Sequence, residues 1–140
     1  MSIKALENLV KTGQLKKEPP NAAEIQRLFA QAKNRFKDAA VKGVSVEGRF
    51  IAAYDAAHSA ALAAMRWHGY RPDKRFVVFQ ALEHTLGWSA SHWRVFDLAH
   101  KKRNRSLYEG FLEFSETDMA ALTEVTARLL EDAGKLVREA

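Results

Sequence analysis

The chain has 140 residues, of which 47% are hydrophobic and 28% charged. This balance is typical of one globular domain and argues against a disordered chain. There is no cysteine, which excludes disulfides, thiolate metal sites and cysteine nucleophiles. The formal net charge is +5. Such a charge is compatible with RNA, DNA or nucleotide partners, but it also serves solubility alone.

The first 18 residues are predicted to form a short helix and a linker. Apolar residues share one face of a helix over residues 3–11, and the linker runs from Leu15 to Pro20 because consecutive prolines cannot continue a helix. Charged residues interrupt the apolar ones near the start, so we expect no signal peptide. No later segment approaches a membrane span, and we expect a cytoplasmic protein.

Residues 21–140 are predicted to form a helical bundle. Asn21 is a candidate N-cap, with Glu24 completing a variant of the capping box, and the helix that follows ends near Gly43. Ser45 is the next candidate N-cap. Its helix is rich in alanine and ends at Gly69, so neighbouring helices can approach it closely and we expect it at the centre of the bundle.

The second half of the bundle begins with a turn over residues 69–73, followed by a helix over 75–86. A fifth helix starts near Ser89 and reaches about Gly110, and a last helix starts at Ser115. No segment alternates like a strand, so the chain is predicted to be all-α. We expect a single domain, 1–140, folded as an antiparallel up-and-down bundle of four main helices with short N-terminal and extra helices.

The fifth helix carries an unusual cluster of basic residues over 100–110. At about 100° per residue, Arg103 falls on the apolar stripe, within an arc of roughly 80°. Four other cations fall on a different side and form a candidate nucleic-acid-binding face: Arg94, Lys101, Lys102 and Arg105. A second basic group over residues 71–75 serves either solubility or as a rim for RNA phosphates.

An arginine on an apolar stripe keeps its charge and needs an anion or several carbonyls. Asp55 and Glu83 are the candidate partners of Arg103 within the chain, and a bound phosphate is the candidate partner that would imply a function. The helical wheel alone favours a structural ion pair with one of the carboxylates. Tyr108 follows Arg103 by five residues, about 140° on a helix, so the two side chains meet only if the helix ends between them or a second protomer supplies one. This spacing predicts a site at a homodimer interface.

Three passages of the chain resemble the HEPN domains, small helical bundles of prokaryotic toxin–antitoxin and defence systems. These passages are residues 15–20, residues 49–58 continuing to 69–72, and residues 103–108, and the third is the most specific. Active members of that family are metal-independent RNases in which two protomers contribute an arginine, a polar residue and a histidine to one cleft. The resemblance implies that Arg103 holds the scissile phosphate and Asn104 orients it.

Tyr108 stands where the family motif has histidine. A tyrosine, with an ordinary pKa of about 10, is a poor base at neutral pH, but it can donate a hydrogen bond to phosphate or stack on a base. His100, one turn before Arg103, is a weaker candidate for the missing group. Arg103, Asn104 and Tyr108 are therefore the candidate site.

Three functions remain open from the sequence. The first is a HEPN-like domain that binds nucleotide or RNA with reduced or absent cleavage, and the second is an active RNase toxin. The third is a non-catalytic module that contacts another protein, for example a nucleotidyltransferase-like antitoxin. We predict no cofactor and no metal site, since no two histidines have the i, i+4 spacing that would bind a metal on one helix.

Overall fold

The computed structural model describes residues 3–110 and 113–138. The ends of the predicted domain, residues 1–2 and 139–140, and residues 111–112 lie outside the described residues. The described elements are α1 (Ile3–Lys11), β1 (Leu15–Lys17), α2 (Ala22–Asp38), α3 (Val46–Trp67), β2 (Tyr70–Pro72), α4 (Val77–Gln80), α5 (Leu82–Thr85), α6 (Ala90–Glu109) and α7 (Glu116–Val137). The prediction of an all-α helical bundle is confirmed.

Four long helices, α2, α3, α6 and α7, form the bundle, in which α2 runs antiparallel to α3 and α6 runs antiparallel to α7. Glu24 at the start of α2 contacts Arg66 at the end of α3. Lys102 near the end of α6 likewise contacts Asp118 at the start of α7. Among the described helices, none is long and apolar enough to cross a bilayer.

Helix α3 occupies the centre of the bundle, as its alanine content predicted. Small side chains let α2 and α7 pack closely against it, and seven of its alanines are fully buried: Ala53, Ala56, Ala57, Ala60, Ala61, Ala63 and Ala64. Large buried side chains, among them Phe50 and Tyr54, occur on the same helix. Polar residues on α3 are therefore held close to several other elements.

The predicted caps form, with one difference. The side chain of Asn21 accepts a hydrogen bond from the backbone N–H of Glu24 (2.9 Å), but the Glu24 carboxylate turns to Arg66 and does not complete a capping box. Ser115 and Asp118 do form a reciprocal capping box at the start of α7. A stronger charged partner for Glu24 thus replaces the local bond expected from the sequence.

Two segments predicted as linker and turn instead pair as strands. Strands β1 and β2 are antiparallel, with Leu15 opposite Pro72 and Lys17 opposite Tyr70, and the Leu15 side chain is buried in the core. Strands of three residues are too short to show the alternation by which a strand is recognised in a sequence. The predictions of a linker over 15–20 and a simple turn over 69–73 were wrong in this respect.

The helix predicted over residues 75–86 is divided into α4 and α5. Ala81 lies between them with ψ of −6°, a value at which the chain closes tight i to i+3 bonds, such as the one from His84 N to Ala81 O (2.8 Å). The segment winds tightly around buried side chains, including Val78 and Phe79, instead of extending as one helix.

The N-terminal segment is tied to α3 by Arg66, whose side chain is only 1% exposed. Its Nε donates to Glu24 Oε1 at 2.6 Å. Its terminal nitrogens donate to the backbone carbonyls of Glu18, Pro19 and Tyr70 at 2.8–3.2 Å. A buried guanidinium satisfied in this way fixes the segment between β1 and α2 against β2.

Candidate functional site

Arg103 packs against the middle of α3, where two adjacent α3 residues contact it. Its Nε lies 3.5 Å from Asp55 Oδ1, and its side chain is 18% exposed. Its guanidinium carbon lies 5.5 Å from the centre of the Tyr54 ring. Of the two predicted carboxylate partners, Asp55 is the one brought to Arg103; Glu83 instead accepts a hydrogen bond from Trp93.

The pairing between Arg103 and Asp55 is loose. A hydrogen bond to a charged oxygen has a usual length of about 2.7–2.9 Å, shorter than the 3.5 Å found here. The Nε of Arg103 is buried and makes no hydrogen bond to any described residue. The carboxylate therefore attracts Arg103 electrostatically but leaves hydrogen-bonding capacity unused.

A second arginine approaches the same carboxylate from the segment before α4. Arg75 Nη2 lies 3.4 Å from Asp55 Oδ1, and its guanidinium carbon lies 5.7 Å from the Tyr54 ring centre. Two guanidinium groups thus share one carboxylate oxygen and one aromatic ring. We call Arg75, Arg103 and Asp55 the arginine pair site; its three side chains carry a net charge of +1.

A chain of hydrogen bonds leads from Tyr54 through α6 beside this site. Tyr54 Oη lies 2.8 Å from His100 Nδ1, and His100 Nε2 lies 3.1 Å from Asn104 Nδ2. With the Asn104 amide nitrogen as donor, His100 accepts at Nε2 and donates from Nδ1 to Tyr54. Asn104 is therefore held one residue away from Arg103 in a fixed orientation.

Burial keeps the histidines near this site neutral. Desolvation, reinforced by the positive charge of Arg75, lowers the pKa of His100. The same two causes lower the pKa of His58 to about 4, and its Nε2 bonds to the backbone carbonyl of Arg75 (3.1 Å). His58 thus supports the position of Arg75 without adding charge, and burial raises the pKa of Tyr54 to about 12.

Tyr108 does not lie with Arg103 in the protomer. Helix α6 continues without a break to Glu109 and ends at Gly110, whose φ of +79° is the left-handed conformation that glycine adopts easily. The side chain of Tyr108 is 87% exposed. Of the two routes that would bring Arg103 and Tyr108 together, a helix end between them is thus excluded, and a second protomer remains.

The four basic residues predicted to bind nucleic acid lie outside the arginine pair site: Arg94, Lys101, Lys102 and Arg105. Lys101 pairs with Asp97 (3.3 Å) and Arg105 with Glu109, each one helical turn away. Lys102 departs from the predicted common face, because its ammonium turns towards α7 and lies 3.6 Å from Asp118. Arg94 is exposed. Carboxylates therefore balance much of the charge on this part of α6.

The described residues give little support for metal binding or for a serine nucleophile. They include no group of three or more acidic or histidine side chains that could hold a metal ion. Ser89 Oγ lies 2.8 Å from His92 Nδ1, and His92 Nε2 lies 2.9 Å from an Arg128 nitrogen. Since arginine only donates, His92 must donate to Ser89, and the serine is not activated as a nucleophile.

The sequence analysis did not place Tyr54, His58 or Arg75 in the site. Tyr54 and His58 are four residues apart on an alanine-rich helix, so they share one face of it. Polar groups on one face of such a helix could have indicated that they belong to the site. Arg75 was noted only as part of the basic group over residues 71–75, a candidate rim for RNA phosphates, because its approach to Asp55 depends on how the segment after β2 turns back towards α3.

Comparison of the chain with protein-family models, with curated proteins and with solved structures gave no significant match.

Proposed function

We propose that this chain is a HEPN-like domain of a prokaryotic toxin–antitoxin or defence system that binds RNA or a nucleotide in the cytoplasm. The proposal rests on the burial and the incomplete hydrogen bonding of Arg103. It is mostly buried, its Nε makes no hydrogen bond to a described residue, and it shares its carboxylate with Arg75. A guanidinium held in this way favours a phosphate oxygen as a further partner.

Asn104 and Tyr108 complete the proposed site in different ways. Asn104, oriented by His100, presents an amide beside the bound phosphate. The exposed Tyr108 stacks on a base or donates to phosphate from a second protomer, so the functional form is a homodimer. In this form Lys101, Lys102, Arg105 and Arg94 lie beside the path of the RNA, but carboxylates already pair with the first three, and we expect no phosphate contact from those three.

Cleavage of RNA is a second candidate activity, supported by one contact. His100 lies one turn from Arg103, where Tyr108 replaces the motif histidine, and it becomes a proton acceptor if RNA binding draws the Asn104 amide away from its Nε2. Incubation of labelled RNA with wild-type protein and with His100→Gln tests this candidate. Intact RNA at high protein concentration excludes an RNase.

Binding is tested by fluorescence anisotropy with a short single-stranded RNA. Arg103→Ala is expected to weaken binding at least about tenfold, since it removes a charge-assisted hydrogen bond. Arg27→Ala is the matched control, because Arg27 is an exposed arginine on α2 outside the site. If the two variants bind RNA equally well, the proposal fails and a protein-contact module, for example with a nucleotidyltransferase-like antitoxin, becomes the better interpretation.

A further inference from the structure

Arg75 and Arg103 come from different parts of the chain but both contact one oxygen atom of Asp55. Arg103 belongs to α6 and Arg75 to the segment between β2 and α4, yet both lie within 3.5 Å of Asp55 Oδ1. Both guanidinium groups also lie within 5.7 Å of the centre of the Tyr54 ring. Like charges brought this close repel each other unless an anion lies between them, and in the protomer that anion is Asp55.

We infer that Arg75 and Arg103 form a clamp for one phosphate group, and that Asp55 is the internal anion that holds the clamp together and competes with the ligand. The inference rests on the proposed function for Arg103 and adds Arg75 and Asp55 to it. A carboxylate oxygen shared by two guanidinium groups occupies the position that a non-bridging phosphate oxygen takes when two arginines bind it.

The charge of the arginine pair site indicates whether it binds a phosphodiester or a terminal phosphomonoester. Asp55 stays beside the two arginines when phosphate takes over its contacts, so the site keeps a net charge of +1, which a singly charged phosphodiester neutralises. The clamp is therefore assigned to a phosphodiester of the RNA backbone. A terminal phosphomonoester, with a charge near −2 at neutral pH, overcompensates the site.

The clamp is partly exposed to solvent. The Arg75 side chain is 47% exposed and the Asp55 side chain 28% exposed. Asp55 also lines a surface depression of about 400 Å³ beside the loop between α2 and α3, together with Val44 and Ile51. Neither arginine lines this depression, so a phosphate approaches the clamp from the side of Arg75, the more exposed of the two.

His58 and Tyr54 position the clamp. The imidazole of His58 holds the backbone carbonyl of Arg75, which limits where the Arg75 side chain can go. The fully buried Tyr54 ring supports both guanidinium groups through cation–π contact. Neither residue presents an anion to the ligand, so Asp55 remains the group with which phosphate competes.

The test compares variants in RNA binding at fixed salt. Arg75→Ala is expected to weaken binding of a single-stranded hexanucleotide with a 5′-hydroxyl about tenfold. Its matched control is Arg27→Ala, which removes the same charge from an exposed position of α2 outside the site. Equal binding by the two variants, with Arg103→Ala still weakened, overturns the clamp and leaves the proposed function standing; if Arg103→Ala also binds normally, the proposed function itself fails.

Removal of the Asp55 carboxylate tests its competing role. Asp55→Asn and Asp55→Ser are both expected to bind the hexanucleotide several-fold more tightly than wild type, and the use of two variants guards against a folding failure of one. Weaker binding by a folded variant contradicts the role of Asp55 as a competitor. A second hexanucleotide carrying a 5′-phosphate separates the two sources of phosphate: similar affinity supports the phosphodiester, and a large gain that Arg75→Ala abolishes overturns that assignment in favour of the terminal group.

Discussion

Arg66 and Arg103 are both withdrawn from solvent, and their partners distinguish their roles. Arg66 is 1% exposed and donates at short distances to a carboxylate and three carbonyls. Arg103 is 18% exposed and has one carboxylate at 3.5 Å, which it shares with Arg75. A guanidinium with its donors satisfied stabilises the fold, whereas one with unused donors is available to a ligand. Burial alone does not separate these cases.

His58 makes the stability of the protein depend on pH. Its pKa is lowered from 6.5 to about 4 by burial and by the charge of Arg75. The unfolded chain therefore binds more protons between pH 6.5 and 4, and the free energy of unfolding falls as the pH falls through this window. By pH 5 the loss due to His58 alone is expected to reach about 2 kcal/mol.

This prediction is checked by urea denaturation of wild type and His58→Gln at pH 7.5 and pH 5. Glutamine can still donate to the carbonyl of Arg75 but does not titrate, so the variant is expected to lose less stability between the two values. The lowered carboxylate pKa values, such as that of Glu24, act below about pH 4.5, and the lowered pKa values of His68 and His100 affect both proteins alike, so the difference between them reports His58. An equal loss in both proteins would contradict the assignment to His58.

At the scale of elements, the N-terminal segment is joined to the bundle through the end of α3. Replacement of Arg66 by Met removes the donor from three carbonyls and leaves Glu24 without its buried partner. We expect Arg66→Met to lower the free energy of unfolding by about 3–5 kcal/mol. Guanidinium chloride denaturation measures the loss.

Hydrogen exchange shows where that loss acts. Backbone amides of Leu15–Lys17 are expected to exchange faster in Arg66→Met, because the pairing of β1 with β2 depends on the anchored segment. Arg27→Met, at an exposed position of α2, is expected to change stability by no more than about 0.5 kcal/mol. Equal exchange of β1 in both variants would show that Arg66 does not anchor the segment.

Most helices of the bundle could be predicted from the sequence because their signals are local. The periodic apolar residues and the caps Asn21, Ser45 and Ser115 predict where α2, α3 and α7 begin. The pairing of β1 with β2 could not be predicted, since residues 15–17 and 70–72 carry no pattern long enough to identify a strand. The burial of Arg66 also depends on that long-range pairing, so an arginine at the end of a helix gave no sign of it.

The candidate site was predictable only in part for the same reason. The helical wheel of α6 placed Arg103 on the inward side, and Asp55 was a predicted partner that the structure brings to it. The convergence of Arg75 on the same carboxylate requires β2, α4 and α3 to be assembled first. A sequence pattern thus identified one residue of the arginine pair site and its acid, while the second cation came from tertiary structure.

At the scale of the whole molecule, the net charge of +5 is not spread evenly. Lys101, Lys102 and Arg105 on α6 each pair with a nearby carboxylate, whereas Arg75 and Arg103 share one. Binding that depends on the whole basic surface and binding at a local site therefore predict different responses to salt, because each phosphate contact releases condensed counterions.

We expect a shallow dependence of RNA affinity on salt. For single-stranded RNA, the logarithm of the binding constant falls by about 0.7 per phosphate contact for each tenfold rise in salt. One phosphate held by the arginine pair site gives a slope of about −0.7, and four further phosphate contacts by the basic residues of α6 would bring it to about −3.5. Titrations between 50 and 200 mM salt distinguish these values, with Arg75→Ala expected to reduce the slope by at most about 0.7 and Lys101→Ala to leave it unchanged. A steep slope that Lys101→Ala reduces as much as Arg75→Ala would place the RNA on the α6 surface instead of at Asp55.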